Sequence, residues 1–415
     1  AGGVTVGTYT TNAAVECLYI LQHSEAKVCV VENEEQLDKA LQVRDQCPNL
    51  AKIVVIDTEG LRHFADPMVI DFAQLLTLGQ EYGADHPEAL RQGLESRGPD
   101  DLALLIYTSG TTGPPKGAML SHENVLWTTQ ALRQAVPVFA DDELLSFLPL
   151  SHIAERMFSV YMPLAFTYTI NFIENTDTVT DNVVETSPTV FFAVPRIWEK
   201  YASTIAIKMK DATWLKRQVF GLALAIGRKR ALARLSPQGV SAGLRLAFAL
   251  AHFAVFRKLK ERLGFERVRV AISGAAPISP DVLRFYHAIG VPLRQVYGQT
   301  EDTGPTSIHQ GEVIEADNVG PAIPGVEIAI AADGEILVRG PNVFLGYYKN
   351  PEATAETLEG GWLHSGDVGE LDQRGFLKIT DRKKDLIITS GGKNIAPQNL
   401  ENQLKFSPYI NDAVV

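Results

Sequence analysis

Tyr107-Thr108-Ser109-Gly110-Thr111-Thr112-Gly113-Pro114-Pro115-Lys116-Gly117 gathers four Thr and Ser hydroxyls, three glycines and one lysine into one short segment. The apolar run from Leu102 to Ile106 leads into it and reads as a buried strand. Glycines let backbone N–H groups turn toward an anion, and hydroxyls with a lysine extend such a cradle. A solvated turn would need neither the lysine nor four hydroxyls. A Walker A loop is excluded, because Pro115 precedes Lys116 and Gly117 follows it where Ser or Thr is required. Phosphates are therefore expected here in a different kind of fold.

Working outward toward the start, Thr11 and Asn12 are candidate caps for a helix through Val15, Leu18, Ile20 and Leu21, followed by an apolar strand at Ala26 to Val31. Glu32 to Asp45 repeats the helix pattern and Ala51 to Ile56 the strand pattern. This alternation predicts an α/β layer with a mostly parallel sheet. The acidic stretch Glu81 to Asp101 reads as a connecting loop. After the glycine-hydroxyl segment, Ser121 is placed to cap a helix over Asn124 to Ala135. Leu144 to Leu150 reads as a strand that ends in Ser151-His152. Neighbouring side chains on a strand point apart and no G-x-S-x-G elbow surrounds Ser151, so a Ser-His triad is rejected. His152 could line a pocket at the strand end or serve as a structural histidine.

The region from Ser203 to Arg262 is helical in pattern, with thirteen Lys and Arg against Asp211 and Glu261, a local excess of 13 − 2 = +11. The chain as a whole carries −11 over 415 residues. Two readings stand for this region. Either its apolar stripe packs on the core and its charges are merely solvated, or it meets anionic lipid head groups with Phe220, Leu222, Phe248, Phe253 and Phe256 as apolar anchors. No run is long enough for a membrane span. The acidic balance argues against nucleic-acid binding. Three cysteines, Cys17, Cys29 and Cys47, lack metal-ligand spacing and suit a reducing compartment.

Further along, Val268 to Ser273 is a strand opening into Gly274-Ala275-Ala276-Pro277, whose small residues admit a flat ligand. Val291 to Val296 leads into Tyr297-Gly298-Gln299-Thr300-Glu301, which combines a ring, a glycine, a hydroxyl and a carboxylate able to hold a hard cation. Gly334 to Tyr348 reads as strands and turns of a smaller β-rich subdomain. Gly361-Trp362-Leu363-His364-Ser365-Gly366-Asp367 sets one carboxylate beside glycines, suited to a sugar diol. Asp381 to Asp385 reads as a charged break between a strand at Phe376 to Ile379 and one at Leu386 to Thr389, a natural hinge.

Together these segments, with Asp381-Arg382-Lys383-Lys384-Asp385-Leu386-Ile387-Ile388-Thr389-Ser390-Gly391-Gly392-Lys393-Asn394, resemble the adenylate-forming enzymes: acyl-CoA synthetases, luciferases and peptide-synthetase adenylation domains. Phe147 to Arg156, Ala193 to Lys200 and the helical insertion look like long-chain fatty-acyl-CoA synthetases of the bacterial and bubblegum-type branch. The resemblance implies an α/β fold in which a large N-terminal domain of layered, mostly parallel sheets plus a small β-rich subdomain precedes a hinge and a small α+β C-terminal domain. Residues 1–383 would form the large domain, lacking its earliest part, with the basic insertion at about 203–262 and the β-rich subdomain at about 312–381. Residues 384–415 would begin a truncated lid domain. The chain is accordingly expected to be an internal piece of a longer protein.

The implied reaction has two steps. A long-chain fatty carboxylate attacks the α-phosphorus of ATP, giving acyl-AMP and pyrophosphate, and the thiol of coenzyme A then displaces AMP. The resemblance assigns Thr108, Ser109, Gly110, Thr111, Thr112, Gly113 and Lys116 to the β- and γ-phosphates. Thr300 would touch the α-phosphate, and Glu301 would bind Mg²⁺ with a hydroxyl such as Thr108. Tyr297 would stack on adenine, with Gly298 beside it and Gly274, Ala275 and Ala276 on the other side. Asp367 and Arg382 would grip the ribose. His152 would sit where carboxylate and thiol meet, Lys384 would be the hinge, and Gly391 and Gly392 would approach coenzyme A. Lys116, Thr300, Glu301 and His152 form the expected catalytic set. The family's adenylation lysine matches no residue up to Val415, so weak ATP binding and poor acyl-AMP formation are expected, testable by ATP–pyrophosphate exchange. Two alternatives stay open: an adenylating ligase for an aryl, amino or short-chain acid, and a non-catalytic nucleotide- or acyl-binding homologue. The expected location is the cytoplasm, peripheral on the inner face of a membrane.

Overall fold

A computed structural model describes residues 2–108 and 113–384, together with Ile387, Ile388, Asn394, Ile395, Pro397, Glu401, Leu404, Ile410 and Ala413. Contacts divide the chain into two units. One comprises Ala1–Glu123, Pro149–His152 and Phe344–Pro351; the other comprises Asn124–Leu148, Ile153–Val343 and Glu352–Val415.

In the first unit, strands Val28–Val31, Lys52–Val55 and Val69–Asp71 form a parallel sheet in that order. Helix Glu34–Val43 packs Leu37, Ala40 and Val43 onto Ile53 and Val55, all buried. Asn33 caps it by accepting the Gln36 amide at 3.2 Å. Helix Ala14–His23 is capped differently from the sequence expectation. Ala13 is its N-cap, and the Glu16 side chain turns back onto the Ala13 N–H at 2.7 Å, so neither Thr11 nor Asn12 is used.

Glu81 to Asp101 is mostly helix rather than loop, in Phe72–Asp85 and Ala89–Glu95. The physical reason lies at the ends. Asp71 and Gln74 form a reciprocal capping box, and Arg91 pairs with Glu88 and Glu95 at helical spacing. Neither helix has a buried residue, which is why the apolar periodicity was faint.

The second sheet of this unit runs in the order Thr5–Gly7, Leu102–Thr108, Lys116–Ser121 and Gly346–Tyr347. Leu102–Thr108 and Lys116–Ser121 pair antiparallel, with Thr108 opposite Lys116 and Tyr107 opposite Gly117. The described ends of the glycine-hydroxyl segment, Thr108 and Lys116, are therefore paired strand residues of a β-hairpin. A Walker A loop opens onto a helix, which this geometry rules out independently of the sequence. Gly346–Tyr347 joins this sheet and not the β-rich subdomain, a correction to the grouping of Gly334 to Tyr348.

The second unit is built on a six-stranded sheet in the order Ser307–Ile308, Leu293–Tyr297, Val270–Ser273, Val190–Ala193, Glu143–Ser146 and Thr169–Phe172. All pairings are parallel except that of Ser307–Ile308. The strand expected over Leu144 to Leu150 ends at Ser146, and Ile153–Arg156 already starts a helix. Glu155 makes that early turn. Buried, it accepts the hydroxyls of Ser146 at 2.5 Å and Ser159 at 2.7 Å.

One face of the sheet is covered by helices Pro195–Lys210 and Pro280–Ile289 around fully buried Phe191, Trp198, Phe265 and Tyr286. Trp198 and Tyr286 meet edge to face at 5.0 Å, and the Tyr286 hydroxyl donates to the Trp198 carbonyl at 2.8 Å. Each such side chain contributes roughly 1.5–3 kcal/mol by burial.

The basic insertion resolves into helices Trp214–Arg234, Ala242–Ala251 and Arg257–Leu263. Trp214–Arg234 buries only Ala223 and Gly227. At Gly227 a Cβ would lie 2.0 Å from the Ala288 carbonyl, so the helix approaches Pro280–Ile289 with no room for a side chain. Of the five proposed apolar anchors, Phe256 is fully buried, and Phe220 and Phe248 pack on the core. Leu222 and Phe253 are exposed, and so are Trp214, Leu215, Leu232, Leu246 and Leu250.

An antiparallel sheet of Glu327–Ile330, Glu335–Arg339, Trp362–Leu371 and Leu358–Glu359, with Leu377–Arg382 on Trp362–Leu371, completes this unit. Its last strand runs through Asp381 and Arg382, so the charged break begins at Lys383 rather than Asp381. No described helix is long and apolar enough to cross a membrane.

Candidate active site

The parallel strands Val270–Ser273 and Leu293–Tyr297 are hydrogen-bonded neighbours, and their C-terminal ends release the two small-residue segments side by side. At Gly274 a Cβ would lie 2.5 Å from the Val296 side chain and 3.1 Å from Phe192, so only glycine leaves the strands this close. Ala275 then takes a positive φ of 68°. Gly298 is more constrained. Its φ is 157°, and a Cβ there would lie 1.6 Å from the Gly304 carbonyl.

That constraint draws Gly298 to Gly304 into a closed loop. The Thr306 amide donates to the Tyr297 carbonyl at 2.8 Å, and the Gly304 amide to the Gln299 carbonyl at 2.9 Å. Thr300–Asp302 forms a single tight turn inside it. Sequence reasoning missed what holds the turn. Asp302 is fully buried and accepts the Gln299 amide at 2.8 Å. Asn342 donates to the Asp302 carbonyl at 3.1 Å, and Thr303 donates its hydroxyl to the Asn342 carbonyl at 2.6 Å. Burial pushes the Asp302 carboxyl up to about 8. The signal available was an acid three residues after Gln299 at a strand end, a spacing at which its carboxylate can accept the Gln299 amide and close a tight turn.

Tyr297 is buried and donates its hydroxyl to Asp367 Oδ2 at 2.9 Å. Asp367 stands opposite Arg382 in the register of the β-rich sheet, with Arg382 Nε 3.8 Å from its Oδ1. Burial raises the Asp367 carboxyl above its ordinary value, opposed by the Tyr297 hydrogen bond and the Arg382 charge. Three residues assigned from three separate motifs thus form one chain of contacts. Next to them, Lys383 pairs with Asp333 at 2.7 Å and Glu335 at 2.9 Å, anchoring the strand end before the exposed Lys384. Glu335 also accepts the Gly366 amide at 2.9 Å, which fixes the turn that carries Asp367.

In the first unit, Thr108 and Lys116 face each other across the hairpin mouth, with the Thr108 hydroxyl 3.4 Å from the Lys116 carbonyl. The Lys116 ammonium lies 4.9 Å from the Tyr347 ring centre. Tyr19 donates to the Pro115 carbonyl at 2.9 Å, and Tyr107 shares a 2.8 Å hydrogen bond with His23, so aromatic groups brace the hairpin. Gly113 has a φ of 97°, in the region that favours glycine. His152 is half-buried, and burial lowers its imidazole so that the neutral form prevails near pH 7. The Ser151 hydroxyl has no hydrogen-bond partner among the described residues, in keeping with the rejected triad. Ser109, Gly110, Thr111, Thr112, Gly391 and Gly392 lie outside the described residues. No group of three or more His, Cys, Asp or Glu arranged to hold a metal ion occurs among the described residues. Glu301, itself buried, would hold Mg²⁺ as a lone carboxylate, an arrangement this ion accepts when phosphates and water complete its shell.

Residues 1–348 match the family model described as AMP-binding enzyme. The chain belongs to that family. It is 38% identical over 438 residues to the long-chain-fatty-acid–CoA ligase ACSBG2 of Xenopus laevis, covering all of this chain and 57% of that protein. Identity to ACSBG2 of Gallus gallus is 34% over 431 residues, covering all of this chain and 55% of that protein. Among solved structures, ATP-bound MatB of Rhodopseudomonas palustris superposes with a TM-score of 0.67 at 26% identity, covering 97% of this chain and 68% of that one. The chain thus spans a little over half the length of the curated relatives it matches. Membership of the adenylate-forming group and the mixed α/β fold, both expected from the motifs, are borne out. Within this AMP-binding enzyme, Tyr297 and the adjacent small-residue shelf occupy the C-terminal edge of a parallel sheet, where ligands of open α/β folds collect, and Asp367 and Arg382 join Tyr297 from the β-rich sheet.

Proposed function

We propose that this chain is the nucleotide-handling body of an ATP-dependent long-chain fatty acid–CoA ligase that forms acyl-AMP and pyrophosphate, then acyl-CoA and AMP. The observation that carries the proposal is the contact chain Tyr297–Asp367–Arg382 beside the Gly274–Ala276 shelf. A half-buried carboxylate with one oxygen held by a tyrosine hydroxyl keeps acceptor capacity for a vicinal diol. A shelf with no side chain larger than a methyl leaves space for a flat base. These two features suit the ribose and adenine of one adenosine.

The chemistry requires charge management, because a carboxylate must approach an anionic phosphate and the phosphorus gathers negative charge on the way. The fatty-acid oxygen forms a bond to the α-phosphorus as the bond to pyrophosphate breaks, and the electron pair leaves on pyrophosphate. No covalent enzyme nucleophile is needed. Thr300, in its rigid turn, is assigned to the α-phosphate. Mg²⁺ at Glu301 would supply charge neutralisation. Lys116 and the hairpin hydroxyls are assigned, from their motif, to the departing pyrophosphate. In the second step the coenzyme A thiol loses its proton, sulfur bonds to the acyl carbon, and AMP leaves as an anion. His152, neutral near pH 7, is suited to take such a proton.

The long-chain acid is favoured by the named function of the relatives at 34–38% identity. Hydroxamate trapping with a panel of acids tests it. Palmitate-sized chains should react best, and a preference for aryl, amino or short-chain acids would redirect the assignment. The exposed Trp214, Leu215, Leu222, Leu246, Leu250 and Phe253 on cationic helices support a finer reading, peripheral contact with an anionic membrane.

A further inference from the structure

The sheet that carries the adenosine-type residues at one end carries a different constellation at the other. At the N-terminal ends of Val270–Ser273 and Leu293–Tyr297 lies a cavity of about 590 Å³. A five-residue strand is about 17 Å long, so the two ends are well separated. Arg230, Arg234, Arg245, Lys260, Arg269 and Arg294 line the cavity, and Glu312 is its one lining acid among the described residues. His252 and His287 add two titratable rings, both lowered chiefly by burial.

Part of this charge is already compensated. Arg269 pairs with Asp142, and Arg234 with Glu312 at 3.1 Å. No carboxylate among the described residues lies within ion-pair distance of Arg230, Arg245, Lys260 or Arg294. Arg294 is buried, gives one guanidinium nitrogen to the His309 carbonyl at 3.0 Å, and leaves its Nε without a partner. Arg230 lays its guanidinium over the Phe248 ring at 4.1 Å, which fixes its plane. Helix Ala242–Ala251 and the turn after it present Arg245, Phe248, Ala249 and His252 to the cavity at spacings of three and four. Arg294 is withdrawn from water and Arg230 and Lys260 are partly so, which is costly unless an anion joins them, and the exposed Arg245 stands at the rim where such an anion would enter. Burial lowers the pKa values of Arg230 and Lys260 and brings Arg294 down to about 10.

We propose that this cavity is an anion site for a phosphate-bearing organic molecule, distinct from the residues assigned to ATP. Guanidinium forks match phosphate geometry, and the volume falls in the range of small-molecule pockets and well exceeds a bare phosphate. Phe248, Leu235, Val268 and Ile314 give the carbon part of such a molecule an apolar wall. The phosphate could arrive on a soluble metabolite or on a lipid head group.

Two binding arms separate these sources, both with α,β-methylene-ATP saturating the ATP-assigned residues. One titrates inorganic pyrophosphate and glycerol 3-phosphate by calorimetry; the other floats the protein with phosphatidylcholine vesicles with and without phosphatidate. Arg245→Glu, at an exposed position, should weaken binding about tenfold or more. Glu312→Gln, which removes the lining acid and releases Arg234, should tighten it by about threefold or more, a gain that misfolding does not mimic. Lys378→Glu, at an exposed position outside both the cavity lining and the basic insertion, should leave the affinity in either arm as it was. These effects in the soluble arm assign a soluble anion, and the same effects confined to phosphatidate vesicles assign a head group. No binding in either arm, or affinities indifferent to both Arg245→Glu and Glu312→Gln, overturns the site.

Discussion

Asp302 shows how a residue can matter to a site by not being charged. Its carboxyl rises from an ordinary 3.8 to about 8 because burial penalises the anion more than Gln299 and the neighbouring donors stabilise it. Between those two values the folded state holds a proton that the unfolded chain has released. Stability therefore falls as pH rises through that window, with a slope of at most about 1.4 kcal/mol per pH unit. Asp302→Asn keeps an acceptor for the Gln299 amide and cannot ionise. We expect the melting temperature of the variant, relative to wild type, to increase from pH 5 to pH 8. A difference that is constant across that range would show that Asp302 is not the titrating group. Tyr297→Phe probes the neighbouring contact. It keeps the ring and removes the donor to Asp367, so AMP affinity measured by calorimetry should weaken by about tenfold, the equivalent of ~1.4 kcal/mol. Unchanged AMP affinity would separate the Tyr297 hydroxyl from ribose recognition.

Elements differ in how plainly the sequence announces them, and the difference has physical causes. A strand buried on both faces, such as Val270–Ser273, is a nearly continuous apolar run and was readable. Helices Phe72–Asp85 and Ala89–Glu95 bury nothing, so only their caps and ion pairs marked them. The strand Lys116–Ser121 was hidden by its own function-like neighbours, since a Lys-Gly opening reads as loop until Thr108 is known to pair with Lys116. At the site, Tyr297, Asp367 and Arg382 were each legible as types in motifs. Their mutual contact, and the support from Asp302 and Asn342, depended on register and long-range packing that local patterns do not encode. The helix Trp214–Arg234 shows the same limit. Its composition displays charge, whereas its seat depends on Gly227. Gly227→Ala would drive a methyl to 2.0 Å from the Ala288 carbonyl and should cost roughly 1–3 kcal/mol. Gly221→Ala, on the same helix with open space around it, should instead be neutral or stabilising by up to ~1 kcal/mol. Urea denaturation of both variants, with hydrogen exchange over residues 214–234, checks the contrast. Equal effects would mean that the close approach at Gly227 does not seat the helix.

At the scale of the molecule, charge is distributed against the average. A chain of net −11 carries a +11 segment over residues 203–262, and that segment also exposes Leu246, Leu250 and Phe253. Screening confines an exposed charge to about 8–10 Å at physiological salt, so at a nearby surface the local excess governs and the distant acids do not. A solvated basic face would need no large apolar groups among its charges. An interfacial face uses both, with cations attracting anionic lipid and apolar side chains contributing roughly 1.5–3 kcal/mol each on full insertion. The two contributions separate by salt. We expect the chain to co-sediment with phosphatidylglycerol-containing vesicles at about 50 mM NaCl and to lose most, though not all, of that binding at about 500 mM. Leu250→Ser with Phe253→Ser should remove the salt-resistant remainder and leave low-salt attraction detectable. Charge reversal at Lys216 and Arg217 should do the converse. Absence of binding at low salt would leave the region as a solvated insertion. Binding that ignores both pairs of substitutions would move the membrane-contacting surface elsewhere on the molecule.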